Sequence, residues 1–503
     1  MDKVVADGNF FHHLHEVAAQ NRDKKCLLLD DGSYWTYEQL FQCTFHFAGF
    51  LRSQGIQVND RVVVQCEKCP EALALYLACL QMGTIYVPVN TSATATEIQY
   101  VVEDTEPKVL VLKDEPSSLT NYGIDCFVLS SSECEFVSQV RSHSAYSEIM
   151  IRSDADIAAI LYTSGTTGRA KGAMLSHRNL RSNAETLLKT WGWERTDVLL
   201  HALPIYHVHG LFVAIHCVLL SGTSMWFFRT FDLEQIIRRM PHATVLMGVP
   251  TYYIRLLKEQ GFSHKAFKAM RLFISGSAPL SEQTFNSFFD RTDKRILERY
   301  GMTETGMITS NPLKGERVAG SVGFPLDGVA VRIVDKEGNQ SSSDWVGEIE
   351  VKGPNVFAGY WRMPEKTREE FTTDSYFKTG DMGYKNDEGR VFIVGREKDL
   401  VISGGLNVYP AEIETLIDEM EGVEENAIIG VPHPDFGEGV VVVVVSKEPI
   451  TLDSVRDFLR EKVASYKHPK AVISVGDLPK NAMGKVQKNL LRQKYSSLFE
   501  ENK

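Results

Sequence analysis

The sequence lacks an apolar run long enough to cross a membrane. Its 503 residues include the run "VVVVVV" from Val440 to Val445, which predicts a buried strand because valine is β-branched. The segment "GLFVAIHCVLLSG", from Gly210 to Gly222, contains His216 and is also short, whereas a membrane helix needs about 20 apolar residues. The sequence therefore predicts no membrane span.

Positive charge is scarce as well. Lys and Arg number 54 against 65 Asp and Glu, which gives a net charge of −11. Surfaces that bind nucleic acid are usually basic, so this composition argues against nucleic acid as the main partner. The N-terminal segment "MDKVVADGNFFHHLHEVAAQ" has acidic residues but no apolar core or small-residue cleavage site, unlike a signal or transit peptide. We therefore expect a soluble, cytoplasmic protein.

Cysteine supplies one recognisable spacing. Among eight cysteines, Cys66 and Cys69 form a single "CEKC", and one CxxC without a second pair is weak support for zinc. It stands between the strand-like "RVVVQ" and the helix-like "PEALALYLACLQ", so a strand-to-helix turn is the preferred interpretation. The histidines around His12 are expected on the surface or in the core, and the pair His207 and His209 predicts no zinc.

The order of strand-like and helix-like segments indicates the fold class. A chain of 503 residues suggests about three lobes of roughly 150 residues. Strands and helices alternate over about the first 300 residues, which predicts an α/β sheet with helices on its faces. From about Val329, short alternating strands such as "VAVRIVD" predict a β-rich subdomain. After Gly395 about 100 residues remain, the length of a further domain.

The segment "YTSGTTGRAKG", from Tyr162 to Gly172, predicts a loop that binds phosphate. Glycines let backbone N–H groups turn toward an anion, hydroxyls donate hydrogen bonds, and Lys171 adds charge; a polar linker is the alternative. The loop is not a Walker A motif, because no Gly precedes Lys171 and no Ser or Thr follows it. A Rossmann site is unsupported too, since no GxGxxG follows a strand.

Five segments, in order, resemble the adenylate-forming superfamily, which includes acyl-CoA synthetases, firefly luciferase and amino-acid adenylation domains. They are "YTSGTTGRAKGAMLSH", "ERYGMTETG", "YFKTGDMG", "GREKDLVISGGLNVYPAEIE" and "LPKNAMGKVQKN". The resemblance covers essentially the whole chain. Within the superfamily, "LPIYHVHGLF", "RLFISGSAPL" and "GERVAGSVGFPL" are most similar to malonyl-CoA synthetases.

The resemblance implies an ATP-dependent acid–CoA ligase. A carboxylate attacks the α-phosphate of ATP, in the presence of Mg²⁺, to give an acyl-adenylate and pyrophosphate; the thiol of coenzyme A then displaces AMP. The implied fold has a large N-terminal domain of helix-flanked sheets over residues 1–395, with its β-rich subdomain at about 329–395. A mobile, smaller α+β C-terminal domain over residues 396–503 would turn on a hinge near 396–399. The resemblance places such an enzyme in fatty acid metabolism.

The resemblance also assigns residues to the nucleotide. The residues that would wrap the β- and γ-phosphates are Thr163, Ser164, Gly165, Thr166, Thr167, Gly168 and Lys171. The motif "YGMTE" would, in order, stack on adenine, leave room for the nucleotide, contact it, touch the α-phosphate and hold Mg²⁺, which prefers oxygen ligands. Its members are Tyr300, Gly301, Met302, Thr303 and Glu304. A turn before a helix is the alternative for this motif.

Further roles fall on the C-terminal segments. Asp381 would accept hydrogen bonds from both ribose hydroxyls, with Arg396 assisting, although Asp is also a natural turn residue. Lys398 matches the hinge position of the family. Gly404 and Gly405 would line the coenzyme A side, where a plain turn is the alternative.

Lys485 is implied to be the lysine of adenylation, bridging the acyl carboxylate and the α-phosphate. With Thr303 and Glu304 it completes the implied catalytic set. Without the resemblance, a lysine so near the chain end would be interpreted as a solvated surface charge.

Three features bear on the acid. The segment "HALPIYHVHGLF" contains no Asp or Glu, whereas amino-acid adenylation domains place an Asp near this region for the substrate ammonium. Arg317 would bind a second carboxylate through its planar fork; a surface arginine is the alternative. His207 would lie beside the acyl group, and Ser277 would add a hydroxyl. Together they favour malonate.

Other functions remain open from the sequence. One is a synthetase for another short acid, such as methylmalonate, acetate or an aryl acid. Another is an adenylation enzyme that loads a carrier protein. A third, a non-catalytic nucleotide-binding protein, is disfavoured because Lys485, Glu304 and Asp381 are all present. The expected partners are a small carboxylic acid, ATP and coenzyme A, and the sequence predicts no particular oligomeric state.

Overall fold

The computed structural model describes residues 8–115, 124–130, 133–163, 170–340, 343–481 and 484–499. Its strands are β1 (Lys25–Leu28), β2 (Tyr34–Thr36), β3 (Arg61–Gln65), β4 (Ile85–Pro88), β5 (Val109–Leu112), β6 (Asp125–Val128), β7 (Ile157–Thr163), β8 (Lys171–Ser176), β9 (Val198–His201), β10 (Ser224–Phe227), β11 (Val245–Gly248), β12 (Leu272–Ser275), β13 (Leu297–Met302), β14 (Gly306–Ser310), β15 (Ser321–Pro325), β16 (Ala330–Val334), β17 (Gly347–Lys352), β18 (Gly359–Tyr360), β19 (Phe377–Lys385), β20 (Val391–Arg396), β21 (Val401–Ser403), β22 (Leu406–Val408), β23 (Val423–His433), β24 (Gly437–Ser446) and β25 (Ala471–Ser474).

The helices stand between and after these strands. The α-helices are α1 (Phe10–Gln20), α2 (Tyr37–Ser53), α3 (Pro70–Met82), α4 (Ala95–Thr105), α5 (Glu135–Ser142), α6 (His177–Thr190), α7 (His216–Ser221), α8 (Leu233–Arg239), α9 (Pro250–Lys258), α10 (His264–Phe267), α11 (Glu282–Thr292), α12 (Pro364–Glu370), α13 (Pro410–Ile417), α14 (Leu452–Leu459) and α15 (Lys488–Lys494). A π-helix covers His209–Ile215, and 3₁₀ turns cover Met240–His242, Glu397–Asp399 and Ser465–Lys467.

The largest sheet joins a parallel half to an antiparallel half. It has 13 strands in the order β16-β17-β19-β20-β15-β14-β13-β12-β11-β9-β10-β1-β2. From β1 to β13 along this order, neighbouring strands run parallel, and from β13 to β16 they run antiparallel. β13 therefore carries "YGM" of the nucleotide motif to the boundary between the two halves.

Two smaller sheets complete the strand framework. Seven strands follow the order β18-β8-β7-β4-β3-β5-β6, with β7 and β8 antiparallel. The C-terminal sheet has the order β22-β21-β24-β23, with β25 on β24. The six-valine run lies in β24, where Val440 to Val444 have no exposed surface. The predicted strand and the predicted α/β class are thus confirmed.

Helix α3 shows how composition determines position in this fold. It begins at Pro70, which suits the first helical turn because proline lacks an N–H there, and ends before Gly83 at a φ of +65°. Every residue of α3 is buried, as expected for a helix that is apolar on all sides. Cys66 and Cys69 lie in the turn between β3 and this helix, as the sequence predicted.

Among the described residues, no helix combines the length and apolar composition that a membrane span requires.

Candidate active site

A β-hairpin presents the predicted phosphate loop. β7 and β8 pair Tyr162 with Gly172 and Thr163 with Lys171. Thr163 and Lys171 therefore face each other at the two ends of the loop. The predicted phosphate ligands between them lie outside the described residues; they are Ser164, Gly165, Thr166, Thr167 and Gly168.

Helix α4 contacts both ends of the phosphate loop. The Tyr100 hydroxyl donates to the Ala170 carbonyl at 2.9 Å, and the Tyr162 hydroxyl donates to Asp104. The two tyrosine rings meet nearly edge-on, with centres 6.0 Å apart. The Trp361 indole donates to the Asp104 carbonyl at 3.0 Å. These contacts fix the ends of the loop against α4 and the segment after β18.

Tyr360 connects the predicted metal ligand with the predicted phosphate ligand. Its hydroxyl donates to Glu304 Oε1 at 3.1 Å, and Thr163 Oγ1 lies 3.5 Å from the same oxygen. The Lys171 ammonium lies 4.2 Å from the centre of the Tyr360 ring and 3.5 Å from Glu370 Oε1. A buried carboxylate and a mostly buried ammonium thus flank one tyrosine.

Glu304 has the properties of a ligand for a hard cation. Burial raises the pKa of this carboxyl group, while the bond from Tyr360 and the charge of Lys171 act in the opposite direction. Mg²⁺ is usually held by one or two carboxylates together with water and substrate phosphates. A single carboxylate beside the loop ends therefore fits Mg²⁺ bound with ATP.

Asp381 is the centre of a second cluster. It lies opposite Arg396 across β19 and β20, and Arg396 Nε is 2.9 Å from Asp381 Oδ1. The Tyr300 hydroxyl donates to Asp381 Oδ2 at 2.5 Å. The carboxylate raises the pKa of Arg396, and burial, with Asp381, raises the pKa of Tyr300. The structure thus brings together three residues that the sequence had placed at adenine, ribose and hinge.

Lys485 lies within electrostatic reach of this cluster. Its backbone N–H donates to Asn481 Oδ1 at 3.0 Å, which closes a tight turn. The side chain retains access to solvent, but the surrounding protein partly desolvates its ammonium, and with the charge of Arg396 this lowers the pKa of Lys485 to about 8. Asp381 and Asp399 raise the pKa and limit this effect.

A third cluster contains the predicted acid-binding residues. The π-helix begins at His209, whose Nδ1 lies 3.2 Å from Ser277 Oγ. Ser277 has a φ of +72°, a strained conformation of a kind that clusters at functional sites. Burial lowers the pKa of the neighbouring His207 to about 4, so its imidazole is neutral at physiological pH.

Arg299 is the residue that sequence reasoning missed. It is only 3% exposed, and its guanidinium lies against Gly276, where a Cβ atom would be 2.4 Å from Arg299 Cζ. Among the described residues, Nε and Nη2 have no hydrogen-bond partner. Its positive charge adds to burial in lowering the pKa of His209. Arg299 is therefore a buried cation with donors to spare, beside Ser277 and His209.

A signal for Arg299 was present in "LERYGM". Side chains alternate between the two faces of a strand, so in β13 Arg299 points away from the face that Tyr300 uses to reach Asp381. The motif resembles a nucleotide motif through Tyr300, and this resemblance assigns no role to Arg299 on the opposite face of the strand.

Arg317, the predicted ligand of a second carboxylate, has other partners in the structure. Its Nε, Nη1 and Nη2 donate to the backbone carbonyls of Pro312, Arg295 and Leu313, at 3.1, 2.5 and 3.0 Å. It therefore connects the loop between β14 and β15 to the segment before β13, and its three nitrogens are engaged by protein carbonyls.

The remaining predicted residues lie in turns and strand ends. Gly301 is needed by the β13–β14 hairpin itself, because a Cβ atom there would lie 2.1 Å from the Gly306 carbonyl oxygen. Lys398 lies in the 3₁₀ turn after β20. Gly404 and Gly405 form the two-residue turn between β21 and β22, with φ of +61° and +79°, a geometry that favours glycine.

Two further residues of the nucleotide motif lie at the tip of the β13–β14 hairpin. Met302 ends β13 and donates its N–H to Thr305 Oγ1 at 3.3 Å. Thr303 follows it in the turn before Glu304, so the motif leads from the Asp381 cluster to the Tyr360 cluster.

Comparison with known proteins identifies related molecules. The sequence matches the family described as AMP-binding enzyme over residues 14–361 and its C-terminal domain over residues 412–485. It is 33% identical to a malonate–CoA ligase of Arabidopsis thaliana, over 97% of this chain and 85% of that protein. It is also 33% identical to the mitochondrial malonate–CoA ligase ACSF3 of Mus musculus, over 93% of this chain and 88% of that protein.

A solved structure extends this likeness to three dimensions. The crystal structure of ATP-bound MatB from Rhodopseudomonas palustris superposes with a TM-score of 0.94 at 47% identity, over 98% of this chain and 100% of that chain.

Proposed function

The chain belongs to the AMP-binding enzyme family, and from that premise we propose that it is a malonate–CoA ligase. It is an acid–CoA ligase, an enzyme that uses ATP to join a carboxylic acid to coenzyme A through a carbon–sulfur bond. The proposed reaction converts malonate, ATP and coenzyme A to malonyl-CoA, AMP and diphosphate. The names of the relatives support malonate as the acid.

Arg299 is the observation that most supports malonate as the acid substrate. Malonate is a dianion, and its second carboxylate needs a cationic partner if it is to be buried. Arg299 supplies a buried guanidinium with unpaired nitrogens, and planar guanidinium binds carboxylate well. Ser277 and His209 beside it supply further polar groups. We therefore transfer the predicted carboxylate contact from Arg317 to Arg299, with His207 beside the acyl chain.

The first half-reaction brings two anions together, so the enzyme must offset their charge in the transition state. In our proposal Lys485 donates to the attacking carboxylate and to an α-phosphate oxygen, and Thr303 donates to the α-phosphate. Lys171 and Thr163 hold the terminal phosphates at the two ends of the loop. Asp381 accepts from the ribose hydroxyls, with Tyr300 and Arg396 keeping its carboxylate in place.

Glu304 is the proposed ligand of Mg²⁺, and the bond from Tyr360 keeps its carboxylate facing the loop ends. The cation would supply charge to the leaving diphosphate when bound. The side chains named above bind and orient ATP and the acid and donate the hydrogen bonds.

The second half-reaction needs access for a thiol. In the proposal the C-terminal domain turns at Lys398 and brings Gly404 and Gly405 toward coenzyme A, which displaces AMP from the acyl-adenylate. We also propose that the protein acts in the cytosol and that its two domains meet at residue 395.

ATP–pyrophosphate exchange tests the proposed function. Purified protein with Mg²⁺ would be given malonate, methylmalonate, succinate, acetate, a medium-chain fatty acid and coumarate, one at a time. We expect the strongest exchange with malonate. Strongest exchange with a monocarboxylate would overturn malonate and Arg299 as its ligand, and would leave the acid–CoA ligase class intact.

A further inference from the structure

Lys68, in the middle of "CEKC", is a buried lysine that the proposed mechanism does not use. It lies in the turn between β3 and α3 and is 6% exposed. Its ammonium lies 2.7 Å from the His201 carbonyl oxygen, 3.1 Å from the Leu203 carbonyl oxygen and 2.5 Å from His201 Nδ1. The face of Phe227 lies 4.5 Å away. All three of these hydrogen bonds go to one short segment, residues 201–203.

The hydrogen bonds of His201 define the geometry further. Its Nε2 lies 2.9 Å from the Gly210 carbonyl oxygen, so this nitrogen carries the proton and donates it, because a carbonyl can only accept. Burial keeps the pKa of His201 well below its ordinary value, and the ring therefore has one N–H. Nδ1 is left as an acceptor for Lys68, and in the protonated lysine three N–H groups meet three acceptors.

These contacts close a loop at its base. Lys68 binds His201, and His201 binds Gly210, so the beginning and end of residues 201–210 are joined through two side chains. The backbone is equally tight there, since a Cβ atom on Gly210 would lie 2.0 Å from the Pro204 carbonyl oxygen. The closed loop carries both His207 and His209.

Burial lowers the pKa of Lys68 well below its ordinary value, and Asp30 raises it in part. The link to the loop does not depend on whether Lys68 is protonated, because an ammonium and a neutral amine can both donate to the two carbonyl oxygens.

We propose that Lys68 is a positioning residue for recognition of the acid: it fixes the loop that carries His207 and His209. The inference rests on the proposed function, in which these histidines line the acid pocket. Among the described residues, Lys68 has no contact with Thr163 or Lys171, the two ends of the phosphate loop. The cluster around Asp381, proposed to bind ATP, is built on other elements, β13, β19 and β20. Its effect should therefore fall on the acid and spare ATP.

Lys68→Met tests this, because methionine keeps an apolar chain of similar length and removes all three hydrogen bonds. Exchange kinetics would be measured with ATP and with the acid that the wild type uses best, so the test does not depend on that acid being malonate. We expect the KM for the acid to rise at least tenfold, with the KM for ATP and kcat within a factor of about two. A KM for the acid within twofold of wild type, in a folded variant, would overturn the proposal.

A matched control is Lys385→Met. Lys385 is a partly buried lysine of β19 whose ammonium donates to the Val331 carbonyl oxygen at 2.5 Å, far along the sheet order from β9 and the loop after it. Both KM values should stay unchanged there. Equal loss for acid and ATP in Lys68→Met would indicate a merely structural lysine and would also count against the proposal.

A second variant approaches the loop from its other end, in case Lys68→Met does not fold. Gly210→Ala forces the Pro204 carbonyl away and should raise the KM for the acid selectively; a uniform loss for both substrates would refute the role of the loop. A wild type without exchange for any acid would refute the proposed function, and the inference with it.

Discussion

The hydroxyl of Tyr360 donates to Glu304 at 3.1 Å, while the face of the same ring lies 4.2 Å from the Lys171 ammonium. One buried side chain therefore orients both the proposed metal ligand and a proposed phosphate ligand. The ring arrives there through β18, which pairs with β8 directly after the phosphate loop. A tyrosine can serve both neighbours because its polar tip and its π-face act in different directions.

Tyr360→Phe should separate the two contacts. The ring stays over Lys171, while Glu304 loses a hydrogen bond to a charged group, typically about 1.5–3 kcal/mol. We expect the Mg²⁺ concentration needed for half-maximal binding of a non-hydrolysable ATP analogue to rise roughly tenfold or more. Isothermal titration calorimetry at a series of Mg²⁺ concentrations measures this without turnover.

The control is Tyr37→Phe, another buried tyrosine, whose hydroxyl donates to the Val218 and Thr223 carbonyls. It should lower stability without changing the Mg²⁺ dependence. Equal Mg²⁺ dependence in Tyr360→Phe and wild type would contradict the proposed role of Tyr360.

Arg299→Met and Arg317→Met form a natural pair, since each removes one arginine with a lowered pKa of about 10. Removing the partner of a buried charge typically costs about 3–5 kcal/mol, or roughly 10²- to 10⁴-fold. We expect Arg299→Met to lose malonate exchange by that factor and to retain or gain activity with acetate. The ratio of kcat/KM for malonate to that for acetate is the quantity to measure.

Arg317→Met should leave that ratio unchanged. It removes three hydrogen bonds to loop carbonyls, so its expected effect is a lower free energy of unfolding, by about 1–3 kcal/mol, seen in chemical denaturation. A loss of malonate selectivity in Arg317→Met with none in Arg299→Met would restore the sequence-based assignment.

This pair also shows where sequence reasoning ends. Apolar runs in the sequence predicted α3 and β24, because an element that is buried on all sides consists mostly of apolar residues. Arg299 and Arg317 are both arginines in the sequence, and their difference is tertiary. Arg299 lies against Gly276 at the end of the neighbouring strand, whereas Arg317 donates to carbonyls of its own loop and of Arg295. Likewise, short strands after Val329 predicted a β-rich segment, but not that its strands continue the sheet of β13, since sheet partners are distant in sequence.

The pH dependence of exchange should report Lys485. Its ammonium is the proposed donor, and its pKa is lowered to about 8; the charged form is present below that pH and is lost as pH rises through it. We expect kcat/KM for malonate in the exchange assay to fall above about pH 8. Because the assay contains no coenzyme A, ionisation of its thiol cannot produce this fall.

Lys485→Arg provides the control, since arginine stays protonated across the whole range. Its activity should be lower, because the donor is displaced, but it should not fall between pH 7.5 and about 9.5. An identical fall in wild type and Lys485→Arg would assign the titration to another group.

Glu370 should compete with ATP for Lys171. In the structure Glu370 Oε1 lies 3.5 Å from the Lys171 ammonium and 3.0 Å from that of Lys366, so the loop lysine has a counter-ion before phosphate arrives. Partly exposed ion pairs are worth up to about 1 kcal/mol. Glu370→Gln should therefore lower the KM for ATP by up to about fivefold and leave the KM for the acid unchanged.

Glu369→Gln is the matched control, because Glu369 pairs with Lys366 at 3.1 Å and has no contact with Lys171 among the described ion pairs. It changes the charge of the protein equally, so a general electrostatic effect on ATP would appear in both variants. A fall in the KM for ATP confined to Glu370→Gln supports competition. A rise confined to that variant would mean that Glu370 instead holds Lys171 in its working position, since the loop lysine then needs its carboxylate partner to meet the phosphates.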